Sequence, residues 1–206
     1  MSTRTLAVVS AGLSTPSSTR LLADRLTAAT AEALRLRGDD ATVEVVELRE
    51  LARELADHLV TGFPAGRLRE ALDTVAGADG LIAVTPVFSA SYSGLFKTFV
   101  DVLDRDALTG TPVLLGATAG SARHSLVLEQ AMRPLFSHLR AVTVPTAVFA
   151  AAEDWADGDG GALVPRIERA ADELAGLVAG RPVRAVRAPA DPFTDFVPFD
   201  QLLRGT

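Results

Sequence analysis

Five short apolar runs, at Thr5–Val9, Thr42–Leu48, Asp79–Thr85, Thr111–Thr118 and Ala141–Ala150, punctuate the chain at fairly even intervals. Runs this short and unbroken read as strands buried on both faces, because a half-solvated strand would alternate polar and apolar residues. Between them the apolar residues recur at helical spacing. The clearest stretch is Arg20 to Arg37, where Leu21, Leu22, Leu26, Ala29, Ala33, Leu34 and Leu36 recur along a helix and Gly38 follows as a stop. Further periodic stretches run from Arg49 to His58, Arg67 to Ala76, Gly94 to Leu103 and Val164 to Ala179, and from Ser125 to Leu139, where Pro134 predicts a kink or break. Strands alternating with helices require right-handed crossovers, which lay helices on both faces of a parallel sheet. The expectation is an α/β, doubly wound three-layer sandwich with a five-stranded parallel sheet, formed by residues 1–180 as one domain.

The chain has 206 residues, 48% of them hydrophobic. A domain of this size buries roughly 70% of the surface its unfolded chain exposes, so it needs no covalent staple. Residues 181–206 depart from the alternating pattern. Pro182, Pro189, Pro192 and Pro198 exclude a regular helix, and Phe193, Phe196 and Phe199 fall within seven residues. Three phenylalanines are costly to leave in water. The expectation is a C-terminal extension packed on its own domain or on a neighbouring subunit.

Composition removes several functional classes. The chain has no cysteine, so disulfides and thiolate metal sites are excluded, and redox chemistry would have to come from a bound cofactor. A net charge of -6 with a single lysine, Lys97, argues against nucleic acid, whose phosphates are bound by clustered cations. His58, His124 and His138 stand far apart, with no carboxylate or cysteine partners at ligand spacing, so no metal site is expected. Asp154, Asp157 and Asp159 form an acidic loop without the calcium-loop pattern or its closing glutamate, and it reads as solvated. The first residues read as a strand, with no leader peptide, and no stretch has the roughly 18 apolar residues of a membrane span. The cytoplasm is the expected location.

In an open parallel sheet, ligands bind beyond the carboxyl ends of the strands, where the strand order reverses. Three loops at such ends carry unusual chemistry. Ser10 to Thr19 leads into a helix N-terminus, whose unpaired amides and dipole attract an anion. It matches neither a Walker loop nor the Gly-x-Gly-x-x-Gly dinucleotide pattern. Its hydroxyls either simply cap the helix or also hold a phosphate monoester. One hydroxyl suffices for a cap, whereas Ser14, Thr15, Ser17, Ser18 and Thr19 supply a run of them. The second loop, Thr85 to Gly94, offers Phe88 and Tyr92 among small residues that let backbone groups approach a planar ring. The third, Ala117 to Arg123, is small, polar and glycine-containing.

These loops carry a resemblance to the NAD(P)H-dependent FMN reductase family. After strand three the chain reads Thr85-Pro86-Val87-Phe88-Ser89-Ala90-Ser91-Tyr92-Ser93-Gly94-Leu95-Phe96-Lys97, where that family has Thr-Pro-x-Tyr-x-x-Ser-x-Pro-Gly-x-Leu-Lys. Phe88 stands in place of the tyrosine and Ser93 in place of the second proline. The resemblance implies a flavodoxin-like sheet of order 2-1-3-4-5, with FMN and NAD(P)H as cofactors. It places the FMN phosphate at Ser10, Ser17, Ser18 and Thr19, with Arg20 nearby. The ring would lie against Pro86, Val87, Phe88 and Ser89, with Thr118, Gly120 and Ser121 opposite, and Arg123 would hold a nicotinamide phosphate or the flavin edge. Hydride would pass from the nicotinamide to the flavin, so no catalytic acid, base or nucleophile is implied. The resemblance further suggests a homodimer or homotetramer. It extends to an actinobacterial subset that supplies reduced flavin to luciferase-like monooxygenases. On the same fold, a quinone or azo-dye reductase with tightly held FMN, or a flavodoxin-type electron carrier, remain the alternatives.

Overall fold

The computed structural model describes residues 2–64, 66–155 and 161–182. The Pro/Phe-rich extension expected beyond Pro182, and Asp157 and Asp159 of the acidic loop, lie outside the described residues. Strands β1 (Thr3–Ser10), β2 (Asp40–Glu47), β3 (Gly80–Phe88) and β5 (Pro112–Ala119) form the body of a parallel sheet in the order β2-β1-β3-β5. Beyond β5 lie β6 (Val142–Thr143) and β7 (Val148–Ala151), both paired with it in parallel. The flavodoxin-like class stands, while among the described residues the sheet has seven strands where five were expected.

Two local effects account for the extra strands. The fifth run is interrupted at Pro145, which has no N–H for the ladder. Glu173 spans the gap, accepting from the Thr146 N–H at 2.7 Å and from its hydroxyl at 2.8 Å. The third strand does not stop at Pro86 but continues to Phe88 and turns back into β4 (Ser91–Tyr92), with Val87 opposite Tyr92 and Phe88 opposite Ser91.

Alternation within the strands explains their unbroken hydrophobicity. Leu6, Val8, Ile82, Val84 and Leu114 face helices α1 (Ser18–Leu36) and α6 (Leu163–Ala179), whose Leu22, Leu26, Leu34, Ile167, Leu174 and Val178 complete one core. Ala7, Val9, Leu81, Ala83, Val113 and Leu115 point the other way. There they meet α2 (Ala52–Thr61), α3 (Arg67–Gly77), α4 (Gly94–Asp101) and α5 (Arg133–His138) through Leu55, Leu68, Val75, Phe96, Phe99 and Phe136. Each large side chain buried this way contributes about 1.5–3 kcal/mol. The kink or break expected at Pro134 takes the form of a π-turn over Leu128–Met132 that leads directly into α5, with the Arg133 N–H reaching back to the Leu128 carbonyl. Pro134 is the cause. It has no N–H for the carbonyl four residues back, and its ring crowds that position, so the preceding turn widens and Pro134 falls in the first turn of α5, where no N–H is needed.

Candidate functional site at the carboxyl edge of the sheet

The register brings the three loops together. Ser10 lies opposite Val84, Thr85 opposite Ala117, and Pro86 opposite Thr118. The chain goes from β1 outward to β2 and returns to β3 on the other side, so the order reverses between β1 and β3, at the loops after these strands.

The first loop is built tightly. The Ala11 N–H extends the sheet by bonding the Val84 carbonyl at 3.0 Å. A β-carbon on Gly12 would sit 2.1 Å from Ser17 Oγ, so only glycine lets the loop close over that hydroxyl. Ser17 is the N-cap of α1, its Oγ accepting from the Arg20 N–H at 3.2 Å. The N–H groups of Ser18 and Thr19 have no acceptor among the described residues, and they head a helix of 19 residues. Ser18 is exposed, whereas the Ser10 hydroxyl is sealed at the end of β1 without a partner. Thr19 is buried and shares a hydrogen bond of 2.8 Å with Thr118, which joins the first loop to the third. Such a pair consumes one of its two hydroxyl protons and leaves the other to donate elsewhere.

Arg20 does not stand free beside this loop. It donates to Glu47 at 2.6 Å and to Asp24 at 2.7 Å, and these bonds, Glu47 first, raise its pKa above the ordinary guanidinium value. Arg49, in the 3₁₀ turn Leu48–Leu51 that follows β2, instead donates to the Thr15 hydroxyl inside the loop. Sequence reasoning did not single out Arg49, because it read as the first residue of an amphipathic helix. The usable signal was its place directly after a strand end on the same edge.

In the second loop Ser89 and Ala90 have φ of 48° and 67°. With β3 and β4 pairing on either side, they form a two-residue hairpin connection in the left-handed region, which favours glycine or asparagine. Each non-glycine residue held there costs roughly 1–2 kcal/mol. The Thr85 hydroxyl fastens the hairpin base, accepting from the Ser93 N–H at 3.0 Å, and the Ser93 hydroxyl caps α4 by accepting from the Phe96 N–H at 3.2 Å. Proline at position 93 offers neither bond, so the departure from the family pattern supplies a fastening of its own. Lys97 is turned along α4 onto Asp101. Pro86 and Val87 are half-buried beside the loop mouth, and Phe88 is 47% exposed.

In the third loop Thr118 is buried, Ser121 is half-buried, and Gly120 and Arg123 are exposed; a β-carbon on Gly120 would meet nothing within 4 Å. Arg123 makes no hydrogen bond or ion pair among the described residues. Leu13, Phe88 and Leu126 put large apolar side chains into solvent, and they come from the three loops or, for Leu126, from the turn just after the third. Trp155 is half-buried against the α1 and α6 layer, with the Arg25 guanidinium 5.0 Å from its ring centre. A groove of ≈ 220 Å³ runs beside β2, lined by Glu44, Glu47, Glu50 and Glu70 against the single cation Arg67, and its excess of carboxylates disfavours phosphate.

Fold and site together define a flavodoxin-like α/β protein with a hydroxyl-rich loop and a β-hairpin at its topological switch point. Residues 4–156 match the model of the NADPH-dependent FMN reductase family. The chain belongs to that family, and it is thereby an oxidoreductase, an FMN reductase that draws on NAD(P)H. It is 40% identical to the NADH-dependent FMN reductase SfnE of Pseudomonas putida, over 82% of this chain and 89% of the relative. With an FMN reductase (NADPH) of Pseudomonas aeruginosa the identity is 38%, over 84% of this chain and 91% of the relative. Among solved structures, an oxidoreductase from Corynebacterium diphtheriae superposes with a TM-score of 0.85 at 52% identity, covering 87% of this chain and 99% of its own.

Proposed function

We propose that this reductase seats the FMN phosphate on the first loop and the flavin ring against the hairpin, and hands reduced flavin to a separate monooxygenase. One observation carries the seating: the acceptor-less amides of Ser18 and Thr19 at the head of a long helix, beside the Ser17 and Ser18 hydroxyls. This donor set suits a phosphate dianion without needing a lysine. Bound FMN supplies a two-electron acceptor for the nicotinamide hydride. The residues of the chain orient the two rings. Pro86, Val87, Phe88 and Ser89 form one wall, Thr118, Gly120 and Ser121 the other, and Arg123 holds the edge. Ser10, sealed beneath the loop, supports the phosphate seat from below.

The exposed Phe88 and the open loop edge favour a flavin that is exchanged during turnover. Leu59, Val60 and Phe63, exposed around the end of α2, favour a subunit contact and hence a homodimer or homotetramer. No described helix is long and apolar enough to cross a membrane, and the proposed setting is the cytoplasm, with no nucleic acid as partner. The test is an anaerobic titration of the purified protein with FMN, then NADPH, then NADH, followed in the visible flavin band. Spectral perturbation on binding followed by bleaching is the expected result, and the more effective nicotinamide is the preferred donor. Binding without bleaching by either nicotinamide would overturn the reductase reading in favour of an electron carrier. FMN that stays with the protein through gel filtration would instead place it with the quinone and azo-dye reductases.

A further inference from the structure

Two arginines lie at the first loop and a third beside the 3₁₀ turn that follows β2, and their surroundings differ. Arg20 is neutralised by Glu47 and Asp24. Arg67 takes up the other acidic residues that flank the 3₁₀ turn, bonding Glu54 at 2.8 Å and the Glu50 carbonyl at 2.8 Å, with the Glu50 carboxylate 3.9 Å away. Arg49 sits between Glu47 and Glu50 in sequence, yet both are engaged by other arginines. Among the described residues it has no carboxylate partner, and its one hydrogen bond goes to the Thr15 hydroxyl of the loop. A guanidinium has five N–H donors in a rigid fork, so most of those of Arg49 remain available.

We propose that Arg49 is the cationic ligand of the FMN 5′-phosphate and the residue that makes the protein select FMN over riboflavin. The proposal rests on the first loop being the phosphate seat. The amides and hydroxyls of that loop are neutral donors, and the nearest arginine in sequence, Arg20, already has its charge matched by two carboxylates. A cation beside those neutral donors strengthens the hold on a phosphate dianion, and Arg49 is tied to the loop by Thr15 with its charge unmatched. Thr15 thus acts as a positioning residue, holding the fork over the loop. The chemistry recognised is a phosphate monoester. The 2′-phosphate of NADPH is a second source of it, but the loop leads into α1, whose free amides belong to the same seat, and this favours the flavin phosphate.

The test compares dissociation constants for FMN and for riboflavin, read by quenching of flavin fluorescence, in the native protein and in Arg49→Met and Arg49→Lys. Arg49 is exposed and outside both cores, and thermal melts of each variant check that it stays folded. The native protein is expected to prefer FMN. Arg49→Met should weaken FMN on the order of tenfold to a hundredfold, the range for losing a charged hydrogen-bond partner, and leave riboflavin unchanged. Arg49→Lys should recover part of the loss, because it keeps the charge without the fork. Native preference for FMN with undiminished FMN affinity in Arg49→Met overturns the role of Arg49 and leaves the phosphate loop standing. Equal native affinity for FMN and riboflavin overturns the phosphate loop itself. A variant that loses its hold on NADPH relative to NADH, with FMN binding intact, assigns Arg49 to the nicotinamide and likewise overturns the proposal.

Discussion

The hydroxyl pair Thr19–Thr118 offers a perturbation whose size follows from its surroundings. The oxygens are 2.8 Å apart, and the two residues are 2% and 3% exposed, so neither has water as a substitute partner. Thr118→Val keeps the shape and deletes one hydroxyl. The bond itself contributes about 1 kcal/mol, and orphaning a buried hydroxyl costs about 1–3 kcal/mol. A loss of roughly 1–2 kcal/mol is expected, with each kcal/mol lowering the melting temperature by about 2–4 °C at this chain length. Thr19→Val should cost about the same. The double variant removes both polar groups together and is expected to lie near the native protein, giving a coupling of about 2–4 kcal/mol, the sum of the two single losses. Urea unfolding of the four proteins measures this cycle. Additivity within about 0.3–0.5 kcal/mol would falsify the claim that the two hydroxyls depend on each other. A parallel FMN titration separates structure from binding. If the pair donates its remaining proton to the cofactor, the double variant regains stability yet still binds FMN several-fold more weakly.

Three other outcomes follow from single sites. Ser18→Asp places a like charge at the head of α1, where the phosphate is proposed to sit, and should abolish FMN binding; unchanged affinity in a flavin fluorescence titration would rule out that seat. Ala90→Gly removes a left-handed alanine, whose strain of about 1–2 kcal/mol exceeds the entropy glycine adds to the unfolded chain, so a net gain of up to about 1 kcal/mol is expected in urea unfolding. Asp39 is held below the usual carboxylate range, first by its hydrogen bond from Arg4 at 2.9 Å and also by the Ser2 N–H. A depressed folded-state pKa means the stabilisation is complete above the unfolded value of about 3.9 and is lost as the pH falls through the folded one. Asp39→Asn should flatten that acid limb of the urea midpoint, and an unaltered limb would assign it to other carboxylates.

The fold was legible because burial on both sheet faces leaves unbroken apolar runs, and Leu6–Val9, Leu81–Val84 and Val113–Leu115 are of this kind. The departures arose where side chains or missing donors decide. Nothing local announces that Glu173, far along the chain on α6, will satisfy Thr146 across the break at Pro145. Proline reads as a stop, yet Pro86 is tolerated inside β3 because the strand ends two residues later in a hairpin. The three loops of the site were legible from residue type, since each follows a buried strand and carries Ser, Thr or Gly in excess. Arg49 was not, because its charge matters only once Glu47 and Glu50 are seen to be claimed by Arg20 and Arg67, and such pairings are set by tertiary distance rather than by spacing in sequence.

The same pairings bear on how a loop-built site stays ordered. Loops are the most mobile parts of an α/β domain, and ordering them upon binding would weaken the ligand by about 0.5–1.5 kcal/mol per immobilised side chain. Here each loop is fastened by hydrogen bonds within the chain itself. Thr19 joins the first loop to the third through Thr118, Arg49 joins it to the end of β2 through Thr15, and Thr85 closes the hairpin base on Ser93. The strained Ser89–Ala90 connection is sustained by the β3–β4 pairing on either side of it. Hydride transfer between two bound rings asks for orientation rather than for an acid or a base. Among the described residues these fastenings use hydroxyls and one arginine, and no histidine, to hold the loops in register with the sheet, which is the kind of order the proposed seating asks for.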